Sequence, residues 1–252
     1  MSESEFRIIR ASEDARVREL SAQISRMTWP EFMMHDPISN KYWARLYESF
    51  PSYQFALFDE DTDYALAVGH AVPIHFDDSM ENLPDEGWDW AIEKAFIDDE
   101  NGVQPNLLCA LMIAVHPDHR AQGLSPQMVQ TMRSMAEESG LQNLIAPVRP
   151  SLKSRYVLTP IDKYIIWRTN DGDLFDPWLR THEKLGAKLI RICYNSMDIT
   201  GTVDEWENWT EILLPMSGWY IISGALCPIL IDREADIGTY TEPNVWMVHD
   251  LT

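Results

Sequence analysis

The chain has 252 residues, 45% of them apolar and 24% charged, enough to bury a sizeable core as one large domain or one domain with an elaboration. A formal net charge of −20 argues against nucleic acid or an anionic membrane surface as partner and suits a cationic substrate. No apolar run approaches a membrane span, the acidic start from Met1 to Glu5 is no signal peptide, and the scattered Cys109, Cys193 and Cys227 show no metal-ligand spacing; these features point to a cytoplasmic protein without a metal.

In chain order, Glu5 to Arg10 alternates as a first strand, and Val17, Leu20 and Ile24 mark the apolar stripe of a helix. The stretch from Trp29 to Asp36 breaks that helix, and a second runs roughly from Tyr42 to Ser49. Gln54 to Phe58 and Tyr64 to Ile74 form a hairpin around Asp59 to Thr62. Residues 76–104 are acidic, carry a short helix from Trp88 to Phe96, and read as an insertion. Leu107 to Val115 has no charge and reads as a strand buried on both faces. Pro117 and Asp118 supply a turn, after which Ser125 is the expected N-cap and Pro126 the first helical residue. Met128, Val129, Met132, Met135 and Ala136 fall on one helical face, and Gly140 is placed to end it.

A strand follows from Asn143 to Arg149, weakened as a central strand by Pro147. Residues 150–175 form a second insertion; from Arg149 to Arg168 five basic residues face one acid, a candidate anion site. Asp176 as N-cap, Pro177 next and Gly186 at the far end frame another helix, leading into a strand from Lys188 to Cys193. Thr202 to Glu205 is a capping box opening a short helix with Trp206 and Trp209. Strand-like runs follow at Trp219 to Ile222, Pro228 to Asp232 and Val245 to Val248.

The stretch Arg120-Ala-Gln-Gly123-Leu-Ser125 thus joins a buried strand to a helix. A glycine turn opening onto a helix N-terminus aims several backbone N–H groups at one spot, which suits phosphate. Together with the strand before and the strand after, this resembles the acyl-CoA-binding motif of the GNAT superfamily of N-acyltransferases, Arg/Gln-x-x-Gly-x-Gly/Ala, with Ser125 in place of the last residue. The resemblance covers about residues 5–193 and is strongest from 107 onward.

It implies an α/β fold: a mixed, twisted GNAT-like sheet whose parallel central strands splay apart, flanked by helices. To this we add an appended β-rich C-terminal lobe, giving a core at 1–193 and an extension at 194–252 packed on it. It also implies transfer of an acetyl or other acyl group from acyl-CoA to an amine, by direct attack on the thioester and without a metal. A non-catalytic acyl-CoA-binding or interaction module is the alternative, and a homodimer is left open.

By the same resemblance, Ile113, Ala114 and Val115 would hold the pantetheine arm and polarise the carbonyl. Arg120, Ala121, Gln122, Gly123, Leu124, Ser125 and Pro126 would form the pyrophosphate loop. His182 stands where the family often has a tyrosine proton donor, so it is the candidate acid. The strand carries no carboxylate base; Glu31, His35, Asp36 and His70 are candidates elsewhere. Trp29, Glu31, His35 and Asp36, in the first interhelical loop, are the expected acceptor contacts.

Overall fold

Alternating apolar residues in the first third build an antiparallel meander, onto which two helical layers are laid. The computed structural model describes residues 6–120 and 122–251. In chain order its elements are β1 (Phe6–Arg10), α1 (Arg16–Thr28), α2 (Pro37–Tyr42), α3 (Leu46–Ser49), β2 (Gln54–Asp59), β3 (Tyr64–Ile74), α4 (Gly87–Glu100), β4 (Leu107–Val115) and α5 (Leu124–Glu138). There follow β5 (Asn143–Val148), α6 (Ile161–Tyr164), α7 (Pro177–Lys184), β6 (Lys188–Gly201), α8 (Val203–Thr210), β7 (Gly218–Tyr220), β8 (Ile229–Asp232) and β9 (Ile237–Asp250).

The described strands form one sheet in the order β1-β2-β3-β4-β5-β9-β8-β7, with β6 along the other edge of β9. Only β4 and β5 are paired in parallel. This is the mixed α/β sheet expected, and the extra C-terminal strands are present. One of them reaches further than an edge: the last part of β9, Val245 to Asp250, pairs with β5 itself. Because β9 offers β6 a continuous edge from Val248 back to Gly238, β6 runs on to Gly201 rather than stopping at Cys193.

Two expected helix starts shift. α5 begins at Leu124, with Gly123 rather than Ser125 at the N-cap. Gly123 takes the left-handed conformation, φ +78°, which closes the turn two residues early and is cheap only for glycine. Pro126 still falls in the first turn, where its missing N–H breaks no helical bond. The second helical stretch begins at Pro37 because Asp36 accepts a hydrogen bond from the Ser39 N–H at 2.6 Å and caps α2. It is then interrupted by a tighter turn at Trp43–Arg45 before α3.

The stripe of α5 is as buried as its spacing predicts: Met128, Val129, Met132, Met135 and Ala136 are all sealed against β3, β4 and β5. At roughly 1.5–3 kcal/mol for each fully buried large side chain, that face is sufficient to dock the helix. Its N-terminus is thereby fixed at the C-terminal end of β4. α7 is set by Asp176, whose carboxylate accepts from the N–H groups of Trp178 and Leu179 and from the Tyr164 hydroxyl at 2.8 Å. The Thr202–Glu205 capping box forms as read.

Candidate active site

β4 and β5 pair only from Leu107 to Cys109, against Asn143 to Ile145. Beyond that point β4 follows β3 and β5 follows β9, so the two parallel strands diverge. Pro147 falls in the part of β5 that has already left β4, so its missing N–H breaks no bond between them. A bulge opposite His70 and Ala71 bends β4 as the gap opens. The gap becomes a cavity of about 710 Å³, reaching from the α5 N-terminus to the loop before α2.

One end of the cavity is built from backbone. Ile113, Ala114 and Val115 line it with a β4 edge that has no β5 partner. Arg120, Gly123, Leu124, Ser125 and Pro126 line it beside the first turn of α5. An added Cβ on Gly123 would meet nothing within 4 Å, so the space before the turn is open to a ligand. Open space, unpaired helix N–H groups and the neighbouring Arg120 fit an anionic pyrophosphate. Gln122 is exposed and outside the lining, and Ala121 lies outside the described residues.

His182 also lines the cavity, yet only 2% of it is exposed. Its Nδ1 lies 3.0 Å from His249 Nε2, and its ring packs edge-on against Trp178. Burial first, and His249 second, drive its imidazole down to about 3. It is therefore neutral near pH 7 and holds no imidazolium proton to deliver. The neutral ring can make one hydrogen bond toward the cavity.

The first interhelical loop divides. Trp29 lines the cavity, its indole N–H pointing at Met112 Sδ (3.1 Å), with the Arg149 guanidinium 5.7 Å from its ring centre. Glu31 and His35 do not line it: they bond each other at 3.1 Å, and His35 stacks on Trp209. Asp36 is fully buried just behind the lining, capping α2. His70 is no base, because it is buried between Ser21 Oγ (2.7 Å) and Gln54 Oε1 (2.9 Å) and burial drives it down to about 3.

The basic island dissolves into separate tasks. Arg149 Nε donates to both oxygens of Glu242 at 2.9 Å, Lys153 is buried and donates to carbonyls including that of Leu226, and Arg168 pairs with Glu183.

Reading the sequence missed Glu242, Asn244, Trp43, Trp88 and Met197, all in the lining. Glu242 is held by Arg149, the Tyr240 hydroxyl (2.7 Å) and the Asn244 amide (3.0 Å). Nothing local marks it: in sequence it lies between Thr241 and Pro243, before the apolar run Val245 to Val248. Asp89, in the first turn of α4, was missed as well. Burial and then the charge of Asp36 push it up to about 8, and burial pushes Asp36 up to about 6.

No family model matches the chain. It is 33% identical over 249 residues to arginine N-acetyltransferase avaD of Aspergillus versicolor, an alignment covering 88% of this chain and 85% of that protein. Among solved structures, it is similar to the loading GNATL domain of CurA from Lyngbya majuscula, with a TM-score of 0.60 at 18% identity over 98% of each chain. The GphF GNAT-like decarboxylase in complex with isobutyryl-CoA gives a TM-score of 0.56 at 14% identity, over 98% of this chain and 100% of that one. These two share the fold. With the sequence relationship beside them, the chain belongs to the GNAT superfamily, an enzyme that transfers an acyl group from acyl-CoA to an amine.

Proposed function

We propose that this enzyme acetylates the α-amine of arginine, or of a close arginine-like acceptor, with acetyl-CoA as donor. The observation that carries the reading is one cavity with two unlike ends: backbone amides and Arg120 at one, carboxylates at and just behind the wall of the other. The name of the avaD relative supports arginine as the acceptor. The three unpaired cysteines support a cytoplasmic setting.

In this reading Gly123, Leu124 and Ser125 offer backbone N–H groups to the pyrophosphate, and Arg120 adds its charge. The free β4 edge at Ile113 to Val115 aligns the pantetheine arm and donates to the thioester oxygen as negative charge develops there. The α-amine of a free amino acid is far less basic than a guanidinium at ~12.5 or above, so near neutral pH it loses its proton far more readily while the guanidinium stays cationic. The α-amine is therefore the nucleophile and the guanidinium the handle. The amide C–N bond forms as the C–S bond breaks. The amine loses its proton to solvent, and the thiolate, with a conjugate acid near ~8.5, takes one up. His182, neutral, steadies the leaving sulfur by a hydrogen bond. Glu242 is a fixed anion rather than a base, since Arg149, Tyr240 and Asn244 already occupy it. Trp29 packs against the acceptor. The core at 1–193 carries the acyl-CoA end, and the 194–252 segment completes the acceptor end through Met197, Glu242 and Asn244.

The test is time-dependent release of free thiol from acetyl-CoA with a panel of amines, the product located by mass spectrometry. Arginine acetylated on its α-nitrogen is the expected best product. Saturable CoA binding with no thiol release from arginine would overturn the reading.

A further inference from the structure

Two carboxylates beside the cavity, Asp36 buried and Asp89 half-buried, are each half satisfied. Asp36 Oδ1 accepts from the Ser39 N–H at 2.6 Å, and Asp89 Oδ2 accepts from the Asp198 N–H at 3.2 Å. The remaining oxygens, Asp36 Oδ2 and Asp89 Oδ1, are buried with no hydrogen-bond partner, and Asp36 as a whole is 0% exposed. Leaving such an acceptor unpaired costs about 1–3 kcal/mol, and more when it is charged. The surroundings aggravate this: the charges of Asp198 and Glu242 repel Asp36, and Asp36, Asp198 and Glu93 repel Asp89. Arg149, a cation of the cavity lining, is already committed to Glu242 and the Gly224 carbonyl.

We propose that Asp36 and Asp89 together form the guanidinium-binding end of the acceptor pocket. This deepens the arginine reading above and rests on it. Position supports it. α2 packs on α4, and Ser39, Trp88 and Met197, which touch or adjoin Asp36, Asp89 and Asp198, are themselves cavity lining. Met33, Met34 and Met197 line that same end, and unbranched thioethers move aside at little cost to admit a ligand. The ligand chemistry follows from the acceptors. Two orphaned oxygens on two carboxylates call for a planar cation with several N–H donors in a fixed fork, which a guanidinium is. A primary ammonium is a compact, strongly hydrated point charge with three rotating donors, a poorer match to two fixed acceptors.

The discriminating pair of ligands is arginine and citrulline, the same length and planar at the end, one charged and one neutral. Wild-type enzyme should favour arginine by 10²-fold or more in kcat/KM. Asp36→Asn and Asp89→Asn should each cut that preference at least tenfold, mainly by raising KM for arginine. Asparagine keeps the size of each group and caps a helix as well as aspartate, so α2 should survive the change. Thermal denaturation and CoA affinity verify folding. Calorimetric titration of both ligands into CoA-saturated protein separates this proposal from the one it rests on. If arginine binds selectively and the aspartates control that selectivity, but no thiol is released, the site stands and arginine acetylation fails. If folded variants keep the wild-type preference in both assays, the two acids merely share a proton and the proposal is overturned.

Discussion

The two ends of the cavity are made by different means. At the proposed acyl-CoA end the binding groups would be main-chain N–H groups of one stretch, β4 through the first turn of α5. At the proposed acceptor end they would be side chains from the α2 N-cap, α4, β6 and β9, brought together from residues 36, 89, 198 and 242. Backbone amides recognise what every donor shares, so the first end tolerates many sequences that keep the turn. Side chains recognise what makes one acceptor different, so the second end sets specificity and a single atom can change it.

The largest effect should fall on the backbone end. Gly123→Asp places a carboxylate where an anion binds and a side chain where φ is +78°. Affinity for CoA should fall by 10²-fold or more, while the fold holds because a Cβ there meets open space. Calorimetry showing unchanged affinity in the folded variant would break the assignment of this end.

A smaller effect is expected at the junction of the two ends. His182→Ala should lower kcat roughly tenfold, not the 10²–10⁴ of a lost general acid, because a ring with a pKa of about 3 is already neutral near pH 7 and offers a hydrogen bond rather than an imidazolium proton. The pH profile of kcat in wild-type and variant should then have the same shape. Loss of an ionisation near 6.5 in the variant would restore His182 as an acid.

The smallest effect is a pH trend at the acceptor end. Asp89 is raised from 3.8 to about 8 by burial and by Asp36, Asp198 and Glu93, so the free enzyme holds a proton there that the unfolded chain has already lost. Stability should therefore decline as pH rises from about 4 to about 8, and Asp89→Asn should lose that slope. A bound guanidinium competes with the same proton. The kcat/KM ratio of arginine to citrulline should rise several-fold from pH 6 to 8; the shared α-amine cancels in the ratio. A flat ratio would separate Asp89 from acceptor binding.

The same contrast explains what could be read from the sequence. The β4–turn–α5 unit was legible because its signals are local: an uncharged run, a glycine, and an apolar stripe at helical spacing. Even its error was local, two residues in the helix start, set by the φ of Gly123. The acceptor end was opaque because no periodicity links Asp36 to Asp89 across 52 intervening positions, and because β9 pairs β5 only through tertiary contacts. Asp36 was singled out by its loop, while its neighbours Glu31 and His35, equally polar, turned outward to each other and to Trp209. His182 shows the other limit. Its place on a helix face was readable, but its ionisation depends on His249, supplied by a strand 67 residues later.

The claim that both ends belong to one reacting site is tested most directly with a single molecule that spans them. In such a conjugate, the CoA sulfur is joined through an acetyl bridge to the α-nitrogen of arginine. Measured by calorimetry, it should bind at least 10²-fold more tightly than CoA, and Gly123→Asp and Asp89→Asn should each weaken it. If the conjugate binds no more tightly than CoA, the carboxylate end is not where the acceptor sits.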